Sequence, residues 1–140
     1  MENTMRTTGW LVGCVLAALP AHAAGPSLGD LVLARDFRDG KPVGVRTEFA
    51  PSDRRIVCVA EVKDLARIVT LTATLTAVEI GTVKNRKLLD QKKEIDPKKS
   101  GKHADVTFTF TLPRDWPKGK YRIDVTLGKS AAKPLPFEIK

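Results

Sequence analysis

The chain is poor in the residues that carry chemistry. Of its 140 residues two are cysteine and two are histidine, and neither an HExxH motif nor a paired-cysteine spacing occurs. That excludes a recognisable zinc site. Ser27, Ser52, Ser100 and Ser130 stand in turn-like contexts without the glycine elbow of a nucleophilic serine. Asp36, Asp39, Asp53 and Asp64 lie in loop-like stretches, where turns and caps are the ordinary use of aspartate. His103, in the polar run Lys99–His103, has no second histidine downstream of the first two dozen residues to work with. Internal repeats and low-complexity linkers are missing as well. These absences lead us to expect no catalytic residue, no cofactor and no metal.

The one long apolar run lies at the start. Arg6 precedes the apolar stretch Leu11–Leu19, and Pro20-Ala21-His22-Ala23 follows with small residues where a signal peptidase reads. A charged start, a short apolar core and a small-x-small exit are the layout of a secretory signal peptide. The run is about half of the roughly twenty residues that a membrane-spanning helix needs. Cleavage near Ala23-Ala24 is therefore expected, with residues 24–140 as a single exported domain, periplasmic or secreted. Leu11-Val12-Gly13-Cys14 also fits the lipobox of bacterial lipoproteins. A lipobox cysteine closes the apolar core, however, and here Val15–Leu19 continues it, so soluble export is favoured and membrane attachment is expected only if Cys14 is lipidated.

Removal of the signal leaves Cys58 as the only cysteine, and hence no disulfide within the domain although export leads to an oxidising compartment. Flanked by Val57 and Val59, Cys58 is expected to be a buried strand thiol. The signal contains one Glu and one Arg, so the formal charge of +8 belongs entirely to the exported domain. With a pI of about 9.7, such a domain attracts polyanions and stays soluble, without the charge alone specifying a partner.

What is abundant is alternation. Val106, Phe108, Phe110 and Leu112 alternate with threonines; so do Val69, Leu71, Ala73, Leu75 and Ala77. Tyr121, Ile123, Val125 and Leu127 alternate with Arg122, Asp124 and Thr126, and Ile56, Cys58, Ala60 and Val62 form a fourth stripe. Period two places successive side chains on opposite faces of a strand. Threonine, β-branched and polar, suits the solvated face. Weaker strands are expected at Leu31–Leu33, at Val43–Phe49 after the turn residues Arg38–Pro42, at Leu88–Ile95 as an edge, and at Leu135–Ile139. Pro134 and Pro136 put that last strand at an edge too, because proline cannot donate to a ladder. Seven or eight short strands in one domain predict an all-β fold, an antiparallel β-sandwich.

The stretch Asp115-Trp116-Pro117-Lys118-Gly119-Lys120-Tyr121 resembles the turn leading into the penultimate strand of immunoglobulin-like and fibronectin type III-like domains. The resemblance implies an immunoglobulin-like sandwich of about seven strands, as found in exported bacterial proteins. Tyr121 would be its corner tyrosine, with the hydroxyl bonded back to upstream backbone. The paired cysteines of the antibody branch are missing, which leaves the wider sandwich class. Such folds host many unrelated activities, so the resemblance names no function.

Two features are candidates for binding. Between Lys84 and Lys102 lie Lys84, Arg86, Lys87, Lys92, Lys93, Lys98, Lys99 and Lys102 against Asp90, Glu94 and Asp96, a surplus of +5. This segment would dock phosphates of lipid, lipopolysaccharide or glycan as point charges, or, as lysines on an edge strand, prevent edge-to-edge aggregation. Lacking an aromatic to stack on bases, it is not expected to read nucleic-acid sequence. Trp116 is the second candidate, either as a surface aromatic or as a plug closing the end of the sandwich with Pro117 and Tyr121. The function expected from all of this is a non-catalytic binding module of the periplasm or cell envelope, its partner an envelope protein or, alternatively, an anionic polymer held by Lys84–Lys102.

Overall fold

Alternation becomes strands wherever the sequence shows it. The structure, a computed structural model, describes residues 25–140; the expected signal peptide and Cys14 lie outside the described residues. Strands β1 (Ser27–Arg38), β2 (Lys41–Val45), β4 (Arg55–Lys63) and β7 (Ala104–Thr111) form a four-stranded sheet in the order β2-β1-β4-β7. A second, five-stranded sheet has the order β3-β9-β8-β5-β6, from β3 (Glu48–Phe49), β5 (Val69–Ile80), β6 (Val83–Ile95), β8 (Gly119–Leu127) and β9 (Lys133–Ile139). All pairings are antiparallel except the short one between β3 and β9. A single helical turn, α1 (Pro97–Ser100), joins β6 to β7.

The four stripes build the core between the sheets. Ile56, Cys58, Ala60 and Val62 meet Val106, Phe108 and Phe110 across the β4–β7 ladder, and face Leu71, Ala73, Leu75, Ile123 and Val125 of the second sheet. Fully burying one such aliphatic or phenyl side chain contributes about 1.5–3 kcal/mol. Val57 and Val59, on the opposite face of β4, are also buried, together with Ala34, outside this main cluster. The sequence is a β-sandwich.

Two expectations about strands are revised. The stretch Val43–Phe49 is two strands rather than one. Asp39 and Gly40, both with positive φ (52° and 75°), make the tight hairpin that returns β2 along β1. The ladder runs on through Gly44, with Val45 opposite Ala34 and Arg46 N–H donating to Leu33 C=O at 3.0 Å; beyond Arg46 the chain leaves the first sheet and β3 pairs with β9 in the second. The last strand is also not a simple edge. Glu138 N–H donates to Thr47 C=O and Lys140 N–H to Phe49 C=O, so even-numbered amides of β9 point away from β8. Pro134 and Pro136 share that parity, and their missing N–H groups fall on the side where β3 does not reach.

From β4 onward the chain reverses at every connection, which sorts the loops between two ends. The aromatic end contains Trp116, Tyr121, Phe137 and Phe49. Tyr121 stacks on Phe137 at 5.2 Å and 12°, and Trp116 meets Tyr121 edge-on at 5.4 Å. Tyr121 Oη donates to Pro117 C=O at 2.5 Å, and Trp116 Nε1 donates to Arg54 C=O at 3.2 Å. The other end gathers the loops 64–68, 96–103 and 128–132 with the start of the described chain.

Candidate binding surface

The basic segment Lys84–Lys102 does not form one patch. Most of it is β6, whose thirteen residues extend about 40 Å at the usual rise per residue. Lys84 therefore sits by the β5–β6 hairpin at the aromatic end, 4.0 Å from Glu79, whereas Lys98, Lys99 and Lys102 belong to the opposite end. Strand alternation divides the remainder. Lys92, opposite Thr72, lies on the outer face, while Lys93 turns toward the seam between the sheets. Arg86 is exposed beside them.

Several of these cations already have work. Lys87 pairs with Asp90 at 3.0 Å. The Asp90 carboxyl is held below its usual range, first by the Thr74 hydroxyl at 2.8 Å and then by Lys87. Lys93 Nζ donates to Thr107 C=O and stands 5.6 Å over the Phe108 ring; beside it Gln91 Nε2 donates to Thr109 C=O at 2.8 Å. Thr107 and Thr109 lie on β7, the edge of the first sheet, and their carbonyls would otherwise invite another strand. Lys93 and Gln91 thus close the seam. Lys93 of β6 spends its donor on the edge of the other sheet.

The loop end is assembled differently. Asp96 caps α1, its carboxylate accepting from Lys98 N–H at 2.9 Å, with Pro97 opening the helical turn. The turn is exposed, with Lys98 and Lys99 in it and Lys102 just beyond. Leu65 N–H donates to Lys102 C=O at 3.0 Å, which clamps the 64–68 loop, carrying Arg67, against this connection. Gly128 N–H donates to Thr70 C=O at 2.8 Å, which brings the 128–132 loop to the same end. Arg67, Lys129 and Ser130 line one open cleft with Gly25, Pro26 and Gly128. Lys133 is drawn aside by its bond to Gly29 C=O at 2.8 Å. Among the described residues, Arg67, Lys98, Lys99, Lys102 and Lys129 have no carboxylate within ion-pair distance. The three loops carry only Asp64 and Asp96 as acids.

Arg67 and Lys129 escaped the sequence-based list of candidates because each is isolated in sequence. The signal that finds them is topological: in an antiparallel meander, alternate connections share an end. At the aromatic end several cations are matched, although Lys41, Arg114, Lys118 and Lys120 have no carboxylate partner among the described residues. Arg35 meets Asp53, Arg38 and Arg55 meet Asp36, Arg54 meets Asp115 and Lys140 meets Glu48, at 2.6–3.2 Å. A cleft on that side, lined by Glu48, Lys120, Arg122 and Glu138, is mixed in sign.

Trp116 is not a surface aromatic. Only 2% of it is exposed, its ring faces are taken by Tyr121 and Phe137, and its N–H is used by Arg54. The aspartates expected in loops have structural partners as well, and Asp36 is not in a loop but within β1, opposite Val43. Asp36 accepts from Phe37 N–H at 2.8 Å and from Arg38 at 2.6 Å, interactions that hold its carboxyl below the usual range. Asp53 accepts from Ala50 N–H at 2.9 Å, while Asp39 and Asp64 occupy positive-φ turn positions. His103 is exposed. Among the described residues no group of three or more His, Cys, Asp or Glu side chains could hold a metal ion, and no helix is long and apolar enough to cross a membrane.

Cys58 is fully buried, and desolvation pushes its thiol up to about 12. The native protein is therefore expected to resist a bulky maleimide at pH 8 and to react as fast as a free thiol once unfolded in guanidinium. Mass spectrometry of timed samples checks this; stoichiometric labelling of the folded protein within minutes would contradict the burial. Because burial opposes the thiolate, the unfolded chain loses this proton first as pH rises. The thiol's contribution to stability is thus intact below about pH 8.5 and declines above it.

No protein family matches the sequence, and no curated protein matches it. Solved structures do. A β-glucosidase from Erythrobacter marinus is similar over 83% of this chain, with a TM-score of 0.57 and 11% identity. A β-glucosidase from Listeria innocua, solved in complex with glucose, is similar over 82% of it, with a TM-score of 0.50 and 12% identity. The chain corresponds to 15% and 16% of those two proteins' lengths. At such identity the likeness concerns the fold alone.

Proposed function

We propose that this protein is a non-catalytic, exported binding module of the periplasm or cell envelope, an immunoglobulin-like sandwich that meets a larger envelope component through the loops of one end. The Tyr121 hydroxyl bonded to Pro117 C=O, in the turn before the penultimate strand, supports the immunoglobulin-like assignment. So does a first sheet and a second sheet exchanging strands at each crossing from β3 onward, apart from the β5–β6 and β8–β9 hairpins. The signal layout of residues 1–23 supports export.

The observation that carries the binding role is the construction of the loop end. Two loops distant in sequence, 64–68 and 96–103, are clamped together by the backbone bond from Leu65 to Lys102, and Gly128 ties the third to β5 at Thr70, on a sandwich with a filled core. Loops held on a rigid scaffold lose little entropy on binding, which is why recognition is so often placed there. Five cations of this end, Arg67, Lys98, Lys99, Lys102 and Lys129, have no carboxylate partner among the described residues, while Lys63 beside them pairs with Glu61.

A photoreactive residue placed at Ser130, and in a second strain at Arg114 in the 112–118 loop of the aromatic end, tests this in living cells. The expected result is one discrete crosslinked envelope product from the Ser130 position, none from Arg114, and a processed chain beginning near Ala24. Equal crosslinking from both ends, or an unprocessed cytoplasmic chain, overturns the proposal.

A further inference from the structure

We infer that the loop end is a phosphate-binding site for a linear polyanion, formed by Arg67, Lys129 and Ser130 in the cleft and extended by Lys98, Lys99 and Lys102 beside it. This rests on the binding-module reading above and names its ligand class. It also moves the anion site away from β6, where the charge is densest in sequence.

Five cations reach this end from three separate loops, and none has a carboxylate partner among the described residues. Asp96, one of two acids in the three loops, is committed to the Lys98 amide as a cap, while Glu94 and Asp105 line a separate cleft with Lys99. Within the cleft the donors differ in kind and approach from two chain segments. Arg67 offers a planar fork from the 64–68 loop; Lys129 and Ser130 offer an ammonium and a hydroxyl from the 128–132 loop. A tetrahedral phosphate directs oxygens toward both chain segments at once, while a carboxylate forked onto the guanidinium keeps its remaining lone pairs in one plane. Lys98, Lys99 and Lys102, on an exposed turn next to the cleft, suit further phosphates of the same chain as point charges. Clamping through Leu65 and Lys102 keeps the two cationic loops in register. β6 cannot compete, because its cations are spread along its length, divided between two faces, and partly used by Glu79, Asp90 and Thr107.

Long-chain inorganic polyphosphate is the first probe, titrated against the protein as its host processes it. Counterion release from about five contacts predicts a loss of affinity on the order of 100-fold between 50 and 200 mM salt. The double substitution Arg67→Gln/Lys129→Gln is expected to weaken binding about 10-fold at 50 mM salt and to flatten the salt slope. Arg114→Gln/Lys118→Gln at the aromatic end, and Arg86→Gln/Lys92→Gln on β6, are expected to change it less than about 2-fold, since screening isolates charges beyond a Debye length. Thermal unfolding of each variant checks that the fold is kept; these side chains are exposed, so little change is expected.

Two further probes separate the sources of phosphate. Vesicles of phosphatidylglycerol in phosphatidylcholine present it on a membrane, and poly-glutamate presents carboxylates at similar charge density. Binding of polyphosphate, lost in the Arg67/Lys129 variant, supports the site; binding of the vesicles without polyphosphate overturns the linear polyanion in favour of a lipid surface. Equal losses in all three double variants, or poly-glutamate binding as tightly as polyphosphate, overturns it. If the Ser130 crosslink forms in cells while no phosphate probe binds, the ligand class is wrong and the binding module stands.

Discussion

Replacing Trp116 by alanine is expected to destabilise the protein by about 3–5 kcal/mol, a large share of the roughly 5–15 kcal/mol that holds a domain of this size together. The indole is the one fully buried side chain of the 112–118 loop, and it closes the aromatic end. It meets Tyr121 at 5.4 Å and Phe137 at 6.2 Å, both edge-on. Trp116 N–H donates to Pro51 C=O and its Nε1 to Arg54 C=O, so the loop before β4 hangs on the same residue. Truncation removes the packing, opens a cavity beside Phe137, and takes away one of the two donors to the Arg54 carbonyl, which keeps its bond from Leu112 N–H. Urea unfolding followed by far-UV circular dichroism measures it, with the midpoint expected to fall by roughly 2 M for a slope typical of small domains. Tyr121→Phe provides the comparison. It keeps the ring on Phe137 and loses only the bond to Pro117, for an expected cost of about 1 kcal/mol. Equal effects of the two substitutions would show that the hydroxyl, rather than the aromatic packing, secures this end.

The second large effect is expected at Gly119. It opens β8 with φ 153°, and a methyl group there would strike the carbonyl oxygen of Glu79 and lie 3.1 Å from the Ile80 side chain. Backbone is what stands in the way, where β5 breaks register between Ala77 and Glu79. Neither strand can withdraw without disturbing the ladder that pairs Ala77 with Tyr121. Gly119→Ala is therefore expected to cost on the order of 3 kcal/mol, from overpacking and backbone strain together. Gly128→Ala isolates the backbone component. Its φ is 58° with nothing within 4 Å of the added carbon, so only the left-handed penalty of about 1–2 kcal/mol applies. Calorimetric melting of the two variants should place Gly119→Ala clearly below Gly128→Ala; the reverse order would mean that β8 shifts to make room.

Local pattern was the reliable part of the sequence. The stripes at Ile56–Val62, Val69–Ala77, Val106–Phe110 and Tyr121–Leu127 are buried on the faces that their alternation assigns. They follow from a backbone geometry that each residue obeys without reference to distant chain. The expectation weakened where a strand's fate depends on a neighbour. Val43–Phe49 splits because its first part stays paired with β1 as far as Arg46, while β9 offers Glu48 and Phe49 a ladder in the other sheet. Leu88–Ile95 was legible as a poor edge strand, but its extension back to Val83 rests on pairing with β5, since Lys84, Asn85, Arg86 and Lys87 have no apolar period of their own.

The candidate site was legible to a smaller degree. Lys98, Lys99 and Lys102 were in view because they lie close together in sequence; Arg67 and Lys129 were not, because each is a single cation in its own turn. Lys84, Lys87 and Lys93 were in view and prove to be occupied, by Glu79, Asp90 and the Thr107 carbonyl. Trp116 was the hardest to assign from sequence, since a loop tryptophan beside a proline looks the same whether it faces solvent or core.

The sequence by itself determined the class of fold, the face of each principal strand and the burial of Cys58, because period two and apolarity act over a few residues. It also determined the sign of the domain's charge. Only the tertiary structure decided which charges are available and where they converge. Antiparallel reversal carries the β4–β5, β6–β7 and β8–β9 connections to one end, and edge carbonyls or nearby carboxylates elsewhere claim the cations that look most concentrated along the chain. Convergence of that kind is a property of strand order and loop clamps. It comes from hydrogen bonds between residues far apart in sequence, and no local pattern records them.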